Sequence, residues 1–253
     1  MSVFKVENLS IGYKNNALLN TINFELKPGV LTCLLGSNGI GKSTLLRTIA
    51  KLQPAIKGEI EINGNAIDTI THQSFSKEVS MVLTHTEVNK DLTVLELVQL
   101  GRQPYTNWMD VLSAEDQDFI QDTLRICDLQ DLQKRKITQL SDGQLQRTFI
   151  ARAVVQDTPF IFLDEPSTHL DLFHKVHLYK LLKELCVTKN KSILFSTHDL
   201  DLALQLSDDV MLIKEGVFYH NTTTNLINEG LFDRFFDTDS IMFDRERKQF
   251  TLL

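Results

Sequence analysis

The stretch Gly36-Ser37-Asn38-Gly39-Ile40-Gly41-Lys42-Ser43-Thr44 has the pattern G-x-x-x-x-G-K-[ST]. The apolar run Val30 to Leu35 before it reads as a strand, and a helical segment is predicted from near Lys42. Glycines between strand and helix let backbone N–H groups close around an anion, and the helix N-terminus adds a favourable dipole. In such a loop Lys42 reaches the β- and γ-phosphates of a nucleotide, and the Ser43 hydroxyl ligates Mg²⁺. Gly36, Ser37, Asn38, Gly39, Gly41, Lys42, Ser43 and Thr44 are therefore candidate nucleotide-binding residues.

Upstream of this loop the chain reads as short strands. Val3 to Glu7 is a candidate first strand, Thr21 to Leu26 alternates apolar with polar, and Lys27-Pro28-Gly29 turns into the run ending at Leu35. Downstream, Glu59 to Ile62 closes a hairpin at Asn63-Gly64. From about Thr93 the period becomes helical: Thr93-Val94-Leu95-Glu96 has capping-box form, Ser113-Ala114-Glu115-Asp116 resembles another helix start, and Phe119, Ile120, Leu124 and Cys127 follow at helical spacing. Phe160 to Leu163 and Ile193 to Phe195 are continuous apolar runs, the mark of parallel strands covered on both faces. Helical spacing at Val176, Leu178, Leu181, Leu182 and Leu185 separates them in a βαβ rhythm, and short strands at Val210 to Ile213 and Val217 to His220 flank Gly216. The fold class is α/β with a helical insertion.

A chain of 253 residues can bury one substantial core. The net charge of −7 argues against a nucleic-acid partner, which selects a basic face. Cys33, Cys127 and Cys186 form no C-x-x-C pair and read as small buried apolar residues, which suits a reducing compartment. The first residues lack the apolar run of a signal peptide, and no stretch approaches the ~20 apolar residues that span a bilayer. Work at a membrane would then need another chain to form the pore.

Four further groups stand in order: Leu140-Ser141-Asp142-Gly143-Gln144, then Phe160-Ile161-Phe162-Leu163-Asp164-Glu165-Pro166, then Leu170-Asp171, then Ser196-Thr197-His198-Asp199. Together with the glycine-rich loop they resemble the signature, Walker B, D-loop and switch-histidine elements of ABC-type ATPases across essentially the whole chain. The resemblance implies a P-loop NTPase (RecA-like) core with an N-terminal antiparallel β subdomain, at about 1–87 and 156–253, and a helical lobe inserted at about 88–155. Asp164 ends an apolar strand and is delivered to the phosphate edge of the sheet, where it can hold Mg²⁺ through water. Glu165 follows directly and points elsewhere, which suits a carboxylate polarising the attacking water. By resemblance His198 contacts the γ-phosphate. Ser141 starts a predicted helix carrying Leu145, Phe149 and Ala153 on one side. Its hydroxyl is either an N-cap or part of a second anion site. The family's rule makes Ser141, Gly143 and Gln144 complete the ATP held by a second copy of the chain, with Asp142 facing away or paired with a basic group. Tyr13 resembles the aromatic residue that stacks on adenine; the other reading is a tyrosine packed on a strand rim.

Leu92 to Tyr105 and Ser196 to Ala203 resemble the ATPases of iron–siderophore, haem and vitamin B12 importers. That group implies ATP and Mg²⁺ as cofactors, a peripheral position on the cytoplasmic face of the membrane, permease partners and, indirectly, a periplasmic or surface substrate-binding protein. The alternative is an ABC-type ATPase without a permease, an iron–sulfur assembly scaffold or a DNA-associated ATPase. One family residue is missing. Where a glutamine is expected after the strand Val79 to Leu83, the chain reads Thr84-His85. Thr84 is the candidate for the Mg²⁺-side role through a bridging water, His85 is the second candidate, and the third reading is a loop that only packs on the helical lobe.

Overall fold

The computed structural model describes residues 2–14, 16–84, 88–106, 111–168, 170–233, 235–236 and 240–253. In chain order the elements are β1 (Phe4–Tyr13), β2 (Asn16–Leu26), β3 (Leu31–Leu35), α1 (Lys42–Ile49), β4 (Lys57–Ile62), β5 (Asn65–Ala66), α2 (His72–Phe75), β6 (Val79–Val82), α3 (Val94–Gln99), α4 (Ala114–Ile126), α5 (Asp142–Val155), β7 (Phe160–Leu163), α6 (Leu172–Lys189), β8 (Ser192–Ser196), α7 (Leu200–Leu206), β9 (Asp209–Lys214), β10 (Val217–Thr222), α8 (Thr223–Asn228), β11 (Ile241–Asp244) and β12 (Gln249–Leu252).

One sheet has the order β10-β9-β3-β8-β7-β6, parallel from β9 to β6. The period-2 geometry of its strands sorts side chains between two cores. Leu31, Cys33, Leu35, Ile161, Leu163, Ile193 and Phe195 join one core with α5 and α6, while Leu34, Phe160, Phe162 and Leu194 join the other with α1 and the N-terminal strands. Both faces are covered, so the strands carry no polar alternation.

The second sheet, β2-β1-β4-β5, is antiparallel and seats Phe4 edge-on against Phe160 and Phe162 at 5.3 and 5.5 Å. Its first strand runs on past Glu7 to Tyr13, and its second starts at Asn16 rather than Thr21. Asn8 and Thr21 sit at φ +49° and +57°, and the register jumps beside Asn8. The Asn23 side chain secures this irregularity, accepting from Asn8 N–H and donating to the Thr21 carbonyl. The strands thus continue through bulges that break the alternation in the sequence.

Between β6 and β7 the described residues carry α3, α4 and α5 and no strand. Both capping boxes form, Thr93 with Glu96 and Ser113 with Asp116. In α5 the buried side is Ile150, Ala151, Ala153, Val154 and Val155, with Leu145 and Phe149 only half-buried. Ala153 of the predicted face is among them, and this side of α5 joins one core shared by α3, α4 and the parallel sheet, against which Phe149 also packs. Among the described residues no helix is long and apolar enough to cross a membrane.

Candidate functional site

Four loops leave the same end of the parallel sheet from adjacent strands: Thr84 follows β6, Asp164 follows β7, His198 follows β8, and the glycine-rich loop follows β3. Ligands of parallel α/β sheets collect at this carboxyl edge. A cleft of about 570 Å³ there is lined by Tyr13, Asn38, Gly39, Gly41, Lys42, Ser43, Thr44, Glu165 and His198.

Gly41 caps α1 at φ +116°, a backbone state closed to side-chain-bearing residues, and so turns the loop's N–H groups around the helix end. At Gly36 a Cβ would lie 2.9 Å from the Ile213 carbonyl, so no larger residue fits where the loop crosses β9. Lys42 is buried, and its Nζ donates to the carbonyls of Gly36 at 2.8 Å and Ser37 at 3.1 Å. Burial holds its pKa below the ordinary lysine range, although the charges of Glu165 and Asp164 oppose this. An under-solvated ammonium curled over its own loop gains a counter-ion when phosphates arrive.

Asp164 is 2% exposed, and its Oδ1 accepts from Ser43 Oγ at 2.9 Å and Ser196 Oγ at 2.8 Å. This carboxylate and the serine hydroxyl form an all-oxygen set that fits a hard divalent cation shared with phosphates. Glu165 turns the other way: its carboxylate contacts His198 Nε2 through Oε1 and accepts from Thr168 Oγ1 at 3.2 Å through Oε2. His198 is itself steadied from α6, where Tyr179 bonds Thr197 Oγ1 at 2.8 Å and Lys175 bonds Asp199 Oδ1 at 2.7 Å. Tyr13 is the last residue of β1. Its ring is about half exposed, and its hydroxyl shares a 3.1 Å hydrogen bond with Thr44 Oγ1.

Ser141, Gly143 and Gln144 lie outside this cleft. Ser141 caps α5 reciprocally with Gln144, at 3.3 and 3.1 Å, and is exposed at the helix end. Asp142 is exposed and makes no ion pair among the described residues. The Thr84 hydroxyl donates to the Asp164 carbonyl at 2.9 Å, which commits its one proton to the backbone. Any contact with a metal would then use its lone pairs. His85 lies outside the described residues. Ser196 and Thr168 were not singled out as site residues in the sequence. Ser196 belongs to the switch-histidine group, but nothing in its spacing says that it bonds Asp164.

Comparison with known proteins identifies the family. A family model described as ABC transporter matches residues 19–168. The petrobactin import ATP-binding protein FpuD of Bacillus anthracis is 34% identical over 85% of this chain and 79% of its own length. The iron(3+)-hydroxamate import ATP-binding protein FhuC of Bacillus subtilis is 32% identical over 95% and 90%. Among solved structures, the dimeric post-hydrolysis ATP-binding cassette MJ0796, bound to ADP and Pi, is 26% identical with a TM-score of 0.75, over 87% of this chain and 98% of that one. The chain belongs to the ABC transporter family, as one of its ATP-binding, ATP-hydrolysing subunits.

Proposed function

We propose that the chain is the motor of an importer for iron(III) chelates, working as a pair of copies on the cytoplasmic face of the membrane beneath a permease that receives its cargo from a substrate-binding protein. The observation that carries the cargo is the likeness to iron(3+)-hydroxamate and petrobactin import subunits over most of the chain. In this reading Gly36 to Thr44 cradle the phosphates, Tyr13 stacks on the adenine, and Ser43 and Asp164 hold Mg²⁺. The cation supplies charge neutralisation at the β- and γ-oxygens. Glu165 accepts the proton of the attacking water, held between His198 and Thr168. Ser141, Gly143 and Gln144 of one copy close over the γ-phosphate in the other, which explains why they stand outside the cleft of a single chain.

The test is affinity purification from detergent-solubilised membranes, with uptake of radiolabelled ferric hydroxamate by cells carrying or lacking the chain. A strongly apolar permease should co-purify, and uptake should be lost with the chain. Recovery of the chain alone, with unchanged uptake of ferric hydroxamate and petrobactin, would assign the motor to another cargo or to a role without a pore.

A further inference from the structure

The peptide joining Asp164 to Glu165 is held at both of its polar ends. Its carbonyl accepts from Thr84 Oγ1 at 2.9 Å, and its N–H donates to Ser196 Oγ at 2.9 Å. The Ser196 hydroxyl in turn donates to Asp164 Oδ1 at 2.8 Å, so each hydroxyl is used once as a donor. Thr84 lies two residues past β6 and Ser196 closes β8, the two neighbours of β7, which the peptide directly follows. The clamp therefore reaches across three adjacent strands.

What it holds is a strained joint. Glu165 has φ +50°, in the left-handed region, at a cost of about 1–2 kcal/mol for a residue with a side chain. Such a conformation persists where the surroundings over-determine it. The orientation of this peptide plane sets where the two carboxylates go: Asp164 towards Ser43, and Glu165 towards His198 and Thr168. Released at its carbonyl, the peptide can rotate and relax the left-handed joint, and the Glu165 carboxylate moves off its partners.

We infer that Thr84 is a positioning residue for Glu165, acting through the Asp164 carbonyl rather than through the cation. This rests on the reading of Glu165 as the group that activates water. It also accounts for a threonine at this place. Its short hydroxyl, just past β6, meets the Asp164 carbonyl directly.

The experiment is a double-mutant cycle in the full chain, with Thr84→Val, Thr84→Ser, Glu165→Gln and the Thr84→Val/Glu165→Gln double variant. ATP turnover, MgATP affinity and the Mg²⁺ concentration for half-maximal activity are measured for each. Thr84→Val keeps the shape and removes the donor, so kcat should fall about 10- to 100-fold, the scale of a misplaced catalytic group. MgATP affinity and Mg²⁺ half-saturation should stay within about twofold, a change small on the same scale. Thr84→Ser should restore most of the rate, and in the Glu165→Gln background Thr84→Val should cost nothing more. Additive losses in the double variant, or a raised Mg²⁺ requirement with normal kcat at saturation, would overturn the clamp while leaving Glu165 as the base. Normal turnover of Glu165→Gln would remove the base reading and the clamp with it.

Discussion

Ser196 and Ser192 lie on the same strand, both fully buried, yet truncating them should have opposite effects. Ser196 accepts from Glu165 N–H and donates to the buried Asp164 carboxylate. Ser196→Ala leaves that N–H unpaired and takes one hydrogen bond from a charged group. Each of these is a loss of about 1–3 kcal/mol, and the combined cost is about 2–4 kcal/mol because the groups share one network. At about 2–4 °C per kcal/mol for a chain of this size, the melting temperature of the nucleotide-free protein should drop by about 4–16 °C. The Ser192 hydroxyl has no hydrogen-bond partner among the described residues. Ser192→Ala removes an unpaid desolvation cost and should leave stability unchanged or raise it by up to about 1 kcal/mol. Differential scanning calorimetry of both variants decides the point. Equal losses, or an unaffected Ser196→Ala, would refute the claim that Ser196 ties the Asp164–Glu165 peptide to its neighbour strand.

Three other outcomes follow from the same geometry. Tyr13→Ala should weaken ATP binding by about 5- to 150-fold, from a stacked ring worth about 1–3 kcal/mol, while Tyr13→Phe binds normally; fluorescence titration with a nucleotide analogue checks both. Burial alone would push the Asp116 carboxyl up, but hydrogen bonds from Ser113 and the Arg102 guanidinium hold it below the ordinary carboxylate range. Its contribution is therefore present above about pH 4 and lost as pH falls through the lowered value, so Asp116→Asn should cost about 1–3 kcal/mol at pH 7, and the gap to wild type in urea midpoint should narrow towards pH 2. Burial raises the thiols of Cys33, Cys127 and Cys186 to about 12, so at pH 8 only about one in 10⁴ is ionised. Iodoacetamide should modify none of them in the folded protein and all three after denaturation, which mass spectrometry reads directly.

The loops at the carboxyl edge of the sheet were legible because each motif ends an apolar run, and parallel strands bring such ends to one place. Gly36 to Thr44, Asp164, Glu165 and His198 are neighbours for that reason alone. The contacts among them were not legible. That Ser196 bonds Asp164, or that Thr84 bonds the Asp164 carbonyl, depends on strand order and register between segments 32 and 80 residues apart, which local patterns do not encode. The N-terminal strands were read short because the left-handed residues at Asn8 and Thr21 interrupt the alternation while the pairing continues. The hairpin of β11 and β12 went unread for another reason. Its four-residue strands are too short to show an alternation, and they are held by aromatic rings, Phe243 against Phe232 at 5.4 Å and against Phe250 at 5.0 Å.

In the proposed function Glu165 performs the chemistry while a second copy completes the nucleotide site. Glu165→Gln keeps the shape of the side chain and removes the base. Sedimentation velocity of this variant with MgATP, run beside an assay of phosphate release, tests both halves together. A stable dimer should form only with MgATP, and turnover should fall about 10²- to 10⁴-fold below wild type. A Glu165→Gln chain that stays monomeric with saturating MgATP, or one that releases phosphate at the wild-type rate, would contradict it.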